Sequence, residues 1–316
     1  MIPYEWLLKA RTRISTYITH TPLTHDKALD VYLKWENQQV TGSFKARGAL
    51  NKVLTLQEWE RKAGLVAASA GNHGLGLGLA GQITGAPVEV FVSESAARVK
   101  VNAMQEMGAI IHVVEGGYPE AESAGKDYAE KYEKTWISPY NDEQVIAGQG
   151  TIGLELQEDL AERAPALLVP VSGGGLISGI GASKKQAQYP RLIGVQSESS
   201  AFMHSLFYRG TQENVPDLPS LADGLTGEVE PGSLTIPMVR ECVDELMLVS
   251  EDEIAGAMAY AWQAHGQKVE GSGAVGLAAA ISGRITARPL VIIVSGGNVG
   301  EEIFGGILSG CTGKTL

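Results

Sequence analysis

Cysteine is nearly missing from this sequence. Cys242 and Cys311 stand far apart, without the spacing of a disulfide framework or a metal knuckle. A stapled secreted scaffold is excluded, and a reducing, cytoplasmic setting fits. Basic charge is also short: 25 Lys and Arg face 36 Asp and Glu, and the formal net charge of −11 repels phosphate backbones and anionic lipid heads. Nucleic acid is not expected as a partner. The six histidines, His20, His25, His73, His112, His204 and His265, are scattered. They offer neither metal-ligand spacing nor the context of a serine nucleophile. No bound metal is expected.

Long apolar runs fail in the same way. The uncharged stretch 164–183 could span a bilayer by length, but Pro-Val-Ser-Gly-Gly-Gly in its middle breaks a helix, so no membrane span is expected. Glu5, Lys9, Arg11 and Arg13 stand where a secretion signal needs apolar residues, so no export is expected either. Repeats, low-complexity tracts and flexible linkers are missing too. At 316 residues the chain exceeds one compact unit, which predicts two lobes packed directly on each other.

What is present is an alternation of short β-branched runs with longer helical segments, the pattern of parallel sheets flanked by helices. Strands are predicted from Val31, Leu65, Val88, Ala109, Ala166, Leu192, Glu245 and Leu290. Helices are predicted to begin near Ser43, His73, Ser95, Pro119, Asp142, Gly175, Ser250 and Gly300, several behind a capping Ser or Asp. The fold class is α/β.

Glycine is abundant, with 39 residues, and it gathers at strand-to-helix turns. There a backbone without Cβ can approach a ligand and aim N–H groups at it. Three such turns stand out: "SAGNHGLG" from Ser69, "SGGGLISG" from Ser172 and "SGGNVG" from Ser295. In a parallel sheet they share the carboxyl edge, where open α/β folds bind ligands. The turn at Ser172 reads as a phosphate cradle, and a tight turn serving packing alone is the alternative. "GLGLGLA" from Gly74 imitates a dinucleotide fingerprint, but its matching register runs inside a predicted helix instead of opening one. "GKT" at Gly313 lacks the earlier glycine of a triphosphate loop, since Leu308 holds that place.

One lysine sits unusually. In "TGSFKARGAL", from Thr41, Lys45 falls in the first turn of a predicted helix, whose positive end favours the neutral amine that attacks carbonyls. A solvated surface lysine is the plain alternative. Phe44 beside it can stack on a flat ring, and the glycine cradle can hold a phosphate. Pyridoxal phosphate is a cofactor that carries an aldehyde, a ring and a phosphate together.

With "TGSFKARGAL", "SAGNHG", "VIAGQGTIGLEL", "VPVSGGGLISGI", "LADG", "VSEDEI" and "VSGGNVG" in this order, the chain resembles pyridoxal-phosphate enzymes of the tryptophan-synthase-β fold type (fold type II). It looks most like catabolic serine/threonine dehydratases and serine racemase. The resemblance implies two lobes, each a mostly parallel sheet flanked by helices, with residues 64–141 inserted as a small domain into a large one formed by 1–63 and 142–316. It implies Lys45 as the Schiff-base lysine and catalytic base, Phe44 beside the ring and Asn72 on the ring hydroxyl. It further implies Ser172, Gly173, Gly174, Gly175 and Leu176 around the phosphate, Ser295 on the pyridine nitrogen and Gly224 on the opposite side of the cofactor. Ser69, Ala70, Gly71, Asn72 and His73 would take the substrate carboxylate, with Tyr118 lining the pocket. The activity implied is dehydration and deamination of L-threonine or L-serine to 2-oxobutanoate or pyruvate plus ammonia, by a homodimer or homotetramer.

Departures from the family pattern sharpen the expectation. Racemases of the group carry a proton-donating serine where this chain has Ala70, which disfavours the alternative of a serine-type racemase; dehydration of another β-hydroxy amino acid remains a further alternative. The metal position of those relatives falls at Gln196, Ser200 and Phe202, which lack its carboxylates. An arginine near their substrate corresponds to Ala121, which argues against dicarboxylic substrates. Gly300 replaces a usual aspartate. The motifs end near Gly300, so no regulatory domain with isoleucine feedback is expected.

Overall fold

The computed structural model describes residues 1–160 and 164–311, the last by its backbone alone. Ten strands form: β1 Leu23–Asp26, β2 Val31–Trp35, β3 Leu65–Ala68, β4 Val88–Ser93, β5 Ile110–Val114, β6 Thr135–Trp136, β7 Ala166–Pro170, β8 Leu192–Ser197, β9 Glu245–Val249 and β10 Leu290–Val294. They build a six-stranded sheet in the order β1-β2-β10-β7-β8-β9 and a four-stranded sheet in the order β5-β4-β3-β6. Every pairing is parallel except β1 with β2.

Parallel sheets covered on both faces need strands apolar at every position, and β7 and β10 meet that need. Leu168, Leu290, Ile292 and Val294 point into one core, while Leu167, Val169, Val291 and Ile293 point into the other. The strands of the smaller sheet fall within 64–141, whereas strands of the larger sheet lie on both sides of that stretch in sequence. The smaller sheet's core also recruits Ile14, Leu50, Val53 and Leu56 from before it.

The helix Lys45–Thr55 is anchored by buried charge. Arg47, 0% exposed, donates to both oxygens of Glu36 (2.7 and 2.8 Å) and of Glu155 (2.6 and 3.0 Å), and Lys34 adds an ion pair to Glu155 at 2.8 Å. Such a cluster fixes geometry because every charge in it is paired and hydrogen-bonded. It clamps the helix against Glu143–Leu160 only two residues after Lys45.

All eight predicted strands form, and each predicted helix start lies within a few residues of an observed one. β1 and β6 escaped the reading because they are short and half-exposed, with no period to detect. Gly74, Gly76 and Gly78 lie inside the helix Asn72–Thr84 and serve packing: a Cβ on Gly76 would stand 3.0 Å from the Lys45 carbonyl oxygen. The "GKT" at Gly313 lies outside the described residues.

Candidate active site

Four separate stretches of chain converge where the helix Lys45–Thr55 begins. Phe44 N–H donates to the Ser295 carbonyl at 3.1 Å, Ser43 forms an isolated antiparallel bridge with Gly296, and Gly297 N–H reaches the Gly42 carbonyl at 2.9 Å. Glu270 N–H donates to the Gly296 carbonyl at 3.1 Å, which brings in the start of the helix Gly271–Ile281. The turn after β3 joins them through Asn72, whose Nδ2 donates to Glu270 Oε1 at 2.7 Å and whose Oδ1 accepts from Asn298 Nδ2 at 2.7 Å. Lys45, Asn72 and Ser295 are therefore neighbours.

Lys45 Nζ donates to the Pro139 carbonyl at 2.8 Å and lies 5.2 Å from the Phe44 ring centre. Burial lowers its pKa from 10.5 to about 8, although the nearby Glu270 charge pulls the other way. The residue after Pro139 leads to the glycine turn: a Cβ on Gly173 would lie 2.6 Å from the Tyr140 ring, and one on Gly175 would lie 2.9 Å from Tyr140 Cβ. Only glycine lets the turn lie this close to the tyrosine. Gly174 adopts a left-handed φ of +86°, and the N–H groups ahead of Ser178 have no acceptor inside the helix Gly175–Gly181, whose bond from Ser178 returns to Gly174. Ser172 remains partly exposed at the head of that turn, and Leu176 is buried behind it.

Residues 69–72 are partly exposed, as a surface open to a small ligand requires. His73 turns inward instead. It is buried, its Nε2 donates to the Ile137 carbonyl at 2.9 Å, and burial, aided by the Lys45 charge, drops its pKa to about 3, so it stays neutral. Its Nδ1 is buried without a partner.

A profile described as "Pyridoxal-phosphate dependent enzyme" matches residues 14–296. The chain belongs to this family. Among its relatives, the L-threonine ammonia-lyase of Thermotoga maritima is 40% identical over 318 residues, covering 98% of this chain and 79% of that one. The catabolic L-threonine dehydratase of Escherichia coli K12 is 40% identical over 275 residues, covering 85% and 83%. Among solved structures, maize serine racemase aligns with a TM-score of 0.90 at 30% identity, covering 98% and 97%. Threonine deaminase isoform 2 of Solanum lycopersicum gives 0.88 at 28%, covering 98% and 88%.

Pyridoxal phosphate fits the residues present. A softened amine, a glycine turn with unspent N–H groups and a buried serine, Ser295, are brought together by these contacts, and the nearby Ser43 Oγ and Thr41 Oγ1 are buried without hydrogen-bond partners. Gly224 is exposed and donates to Ser272 Oγ at 3.0 Å. Tyr118 opens the helix Tyr118–Lys131, 43% exposed, with its pKa pushed above the ordinary range by burial of its hydroxyl end, Glu122, Tyr140 and Glu230. Ala121 is 1% exposed, in an apolar cluster with Val66, Ala68 and Phe91, so its methyl sits in the small-sheet core. Lys100 reaches Asp223 at 3.2 Å and Lys126 reaches Glu230 at 2.9 Å, so two helices beside the smaller sheet are tied to the segment around Gly224.

Of the three residues to which the resemblance assigned the relatives' metal position, Gln196 accepts through Oε1 from His204 N–H at 3.1 Å, Ser200 donates to Asp217 at 2.7 Å and Phe202 is buried in the core. Among the described residues no group of three or more His, Cys, Asp or Glu is arranged to hold a metal, and no helix is long and apolar enough to cross a membrane.

Sequence reasoning missed Glu270, Asn298, Pro139 and Tyr140. Glu270 left one trace in "VEGSGA", an acid directly before a glycine-rich helix start. Pro139 acts through its backbone carbonyl, which no side-chain pattern reveals.

Proposed function

We propose that this chain is a pyridoxal-phosphate-dependent ammonia-lyase acting on L-threonine, L-serine or both, with 2-oxobutanoate or pyruvate and ammonia as products. The observation that carries the reading is Lys45, an amine with a pKa lowered to about 8 at the meeting point of the Asn72 and Ser295 turns. The 40% identity to L-threonine ammonia-lyase over 98% of the chain supports the substrate class.

When bound, pyridoxal phosphate supplies an aldehyde carbon for primary amines and a conjugated ring that draws electrons from the bonds at Cα. Lys45, Phe44, Asn72, Ser295 and the 172–176 turn would hold it, with Gly224 opposite. The protein does the rest. Residues 69–72 would receive the substrate carboxylate on backbone N–H groups, and Lys45 Nζ, whose lowered pKa leaves more of it neutral at pH 7 than an ordinary lysine, would take the Cα proton. Ser295 carries a neutral hydroxyl, which cannot protonate a ring nitrogen as a carboxylic acid would. That would leave the ring a weaker electron sink and favour loss of the β-hydroxyl. Residues 64–141 form the smaller lobe in this reading, and a homodimer or homotetramer in the cytoplasm accords with the family and with the scarcity of cysteine.

Likeness to serine racemase keeps one rival reading in view. Against it stands Ala70, partly exposed in the turn where a racemase needs a proton donor on the opposite face. The test is to incubate purified enzyme with L- and D-threonine and L- and D-serine, following 2-oxo acid, ammonia and enantiomer ratio together. Oxo acid and ammonia in equal amounts from the L forms is the expected result. Enantiomer exchange without oxo acid would refute the lyase reading.

A further inference from the structure

Asn72 belongs to a chain of hydrogen bonds whose direction is set at both ends. Asn298 Nδ2 donates to the Thr41 carbonyl at 2.8 Å and to Asn72 Oδ1 at 2.7 Å. The Thr41 carbonyl can only accept, so Asn298 presents its amide nitrogen and Asn72 must answer with its oxygen. The Asn72 nitrogen is thereby turned to Glu270 Oε1, which takes one N–H at 2.7 Å. One N–H of Asn72 is left for a further acceptor.

Glu270 is 5% exposed and stands at the N-cap of the helix Gly271–Ile281. Its carboxyl lies against Gly296, where a Cβ would stand 2.3 Å from Oε1, so any larger residue beside Ser295 would displace it. Charged groups face it from three other elements: Lys45 on the helix Lys45–Thr55, Lys100 on the helix Arg98–Glu106 and Asp223 in the short turn Asp223–Leu225. Burial and Asp223 push its pKa up to about 7, against the pull of Lys100, of the Asn72 amide and of the Asn298 backbone N–H.

We propose that Glu270 is a positioning residue for the cofactor ring: by accepting one N–H of Asn72, it holds that amide in the orientation that offers the other N–H to the ring oxygen. Flipping the amide would set its oxygen against the Glu270 carboxylate and its nitrogen against the Asn298 nitrogen, two clashes of like character. The inference rests on the reading of Asn72 as the contact to the ring hydroxyl. It assigns Glu270 no contact with the substrate. What it requires is an acceptor at this reach, whether or not that acceptor is charged.

Two substitutions separate reach from charge. Glu270→Gln keeps an acceptor oxygen at full length and removes the charge, whereas Glu270→Asp keeps the charge and withdraws the acceptor by one methylene. The protein is stripped of cofactor and titrated with pyridoxal phosphate, reading the dissociation constant and the visible absorption maximum for wild type, both variants, Asn72→Ala and the Asn72→Ala/Glu270→Asp pair. Glu270→Asp is expected to bind about tenfold more weakly with a displaced absorption maximum, and Glu270→Gln to stay within about twofold of wild type. The double variant should bind no more weakly than Asn72→Ala alone. Wild-type behaviour of Glu270→Asp, loss in Glu270→Gln equal to that in Glu270→Asp, or multiplying losses in the pair would each overturn the inference. If Asn72→Ala changes neither readout, the underlying assignment of Asn72 fails and takes the inference with it. A loss in Asn72→Ala beside unchanged Glu270→Asp sinks the role of Glu270 alone.

Discussion

In protein stripped of its cofactor, Lys45 should titrate far below an ordinary lysine. Its pKa is lowered from 10.5 to about 8, chiefly because burial penalises the ammonium, while the nearby Glu270 charge offsets part of that effect. At pH 7 about one Lys45 in eleven is then neutral, against roughly one in 3,000 for an unperturbed lysine, a difference of about 300-fold in available amine. Because the folded state binds the proton less tightly than the unfolded one, the sign of the linkage is fixed. The cost of burying the ammonium is fully present below pH 8 and disappears as pH rises towards 10.5, so cofactor-free protein should gain stability across that window. The assay is reductive methylation with isotope-labelled formaldehyde, following the Lys45 resonance with pH and assigning it with Lys45→Met. A midpoint above about 10 would refute the account, because such a value is that of a solvated lysine. Glu270→Gln should move the midpoint lower still, since the one charge that supports the ammonium is gone.

Three further outcomes follow from packing and charge. Gly76→Ala sets a methyl 3.0 Å from the Lys45 carbonyl oxygen and 3.2 Å from the Ala46 nitrogen, both backbone, so the two helices must part. A loss of about 1–3 kcal/mol in urea unfolding is expected, with activity falling more than stability. Arg47→Met removes the guanidinium that pairs with both Glu36 and Glu155, leaving Glu155 with Lys34 alone, and should cost about 3–5 kcal/mol by the same measurement. Burial alone would raise the Glu155 pKa, but Arg47 and Lys34 hold it below the ordinary value of 4.5. Wild-type stability should therefore drop as pH falls through that region, and the Arg47→Met curve should be flatter there. Gly300→Asp places a cap at the start of the helix Glu301–Cys311, where a Cβ meets nothing within 4 Å; melting should show a gain of at most about 0.5 kcal/mol.

The parts of the fold legible in the sequence were those whose hydrophobic pattern is marked locally. β7 and β10 are unbroken apolar runs because both their faces are covered, and such runs survive without any knowledge of neighbours. The helix Gly271–Ile281, almost wholly buried, was invisible because small residues all round it give no stripe to detect. In the site, Lys45 and the glycine turns could be read because their chemistry depends on local backbone. Glu270 could not, since what makes it part of the site is Asn72, 198 positions away. His73 was read as part of an open turn, and burial directs it to the Ile137 carbonyl.

The spread of the site along the chain also decides when it can exist. Asn298 meets Thr41 across 257 positions, and the loop that carries it must land on residues 42–44 before Lys45 has its surroundings. That loop follows β10, which enters the larger sheet between β2, among the first strands made, and β7. Contacts of such long range close slowly and late. A chain still emerging from the ribosome would therefore carry Lys45, the 172–176 glycine turn and the whole smaller sheet without a place for the cofactor. Cofactor capture then becomes a marker of the last folding step, and its rate should follow completion of the larger sheet instead of the supply of pyridoxal phosphate.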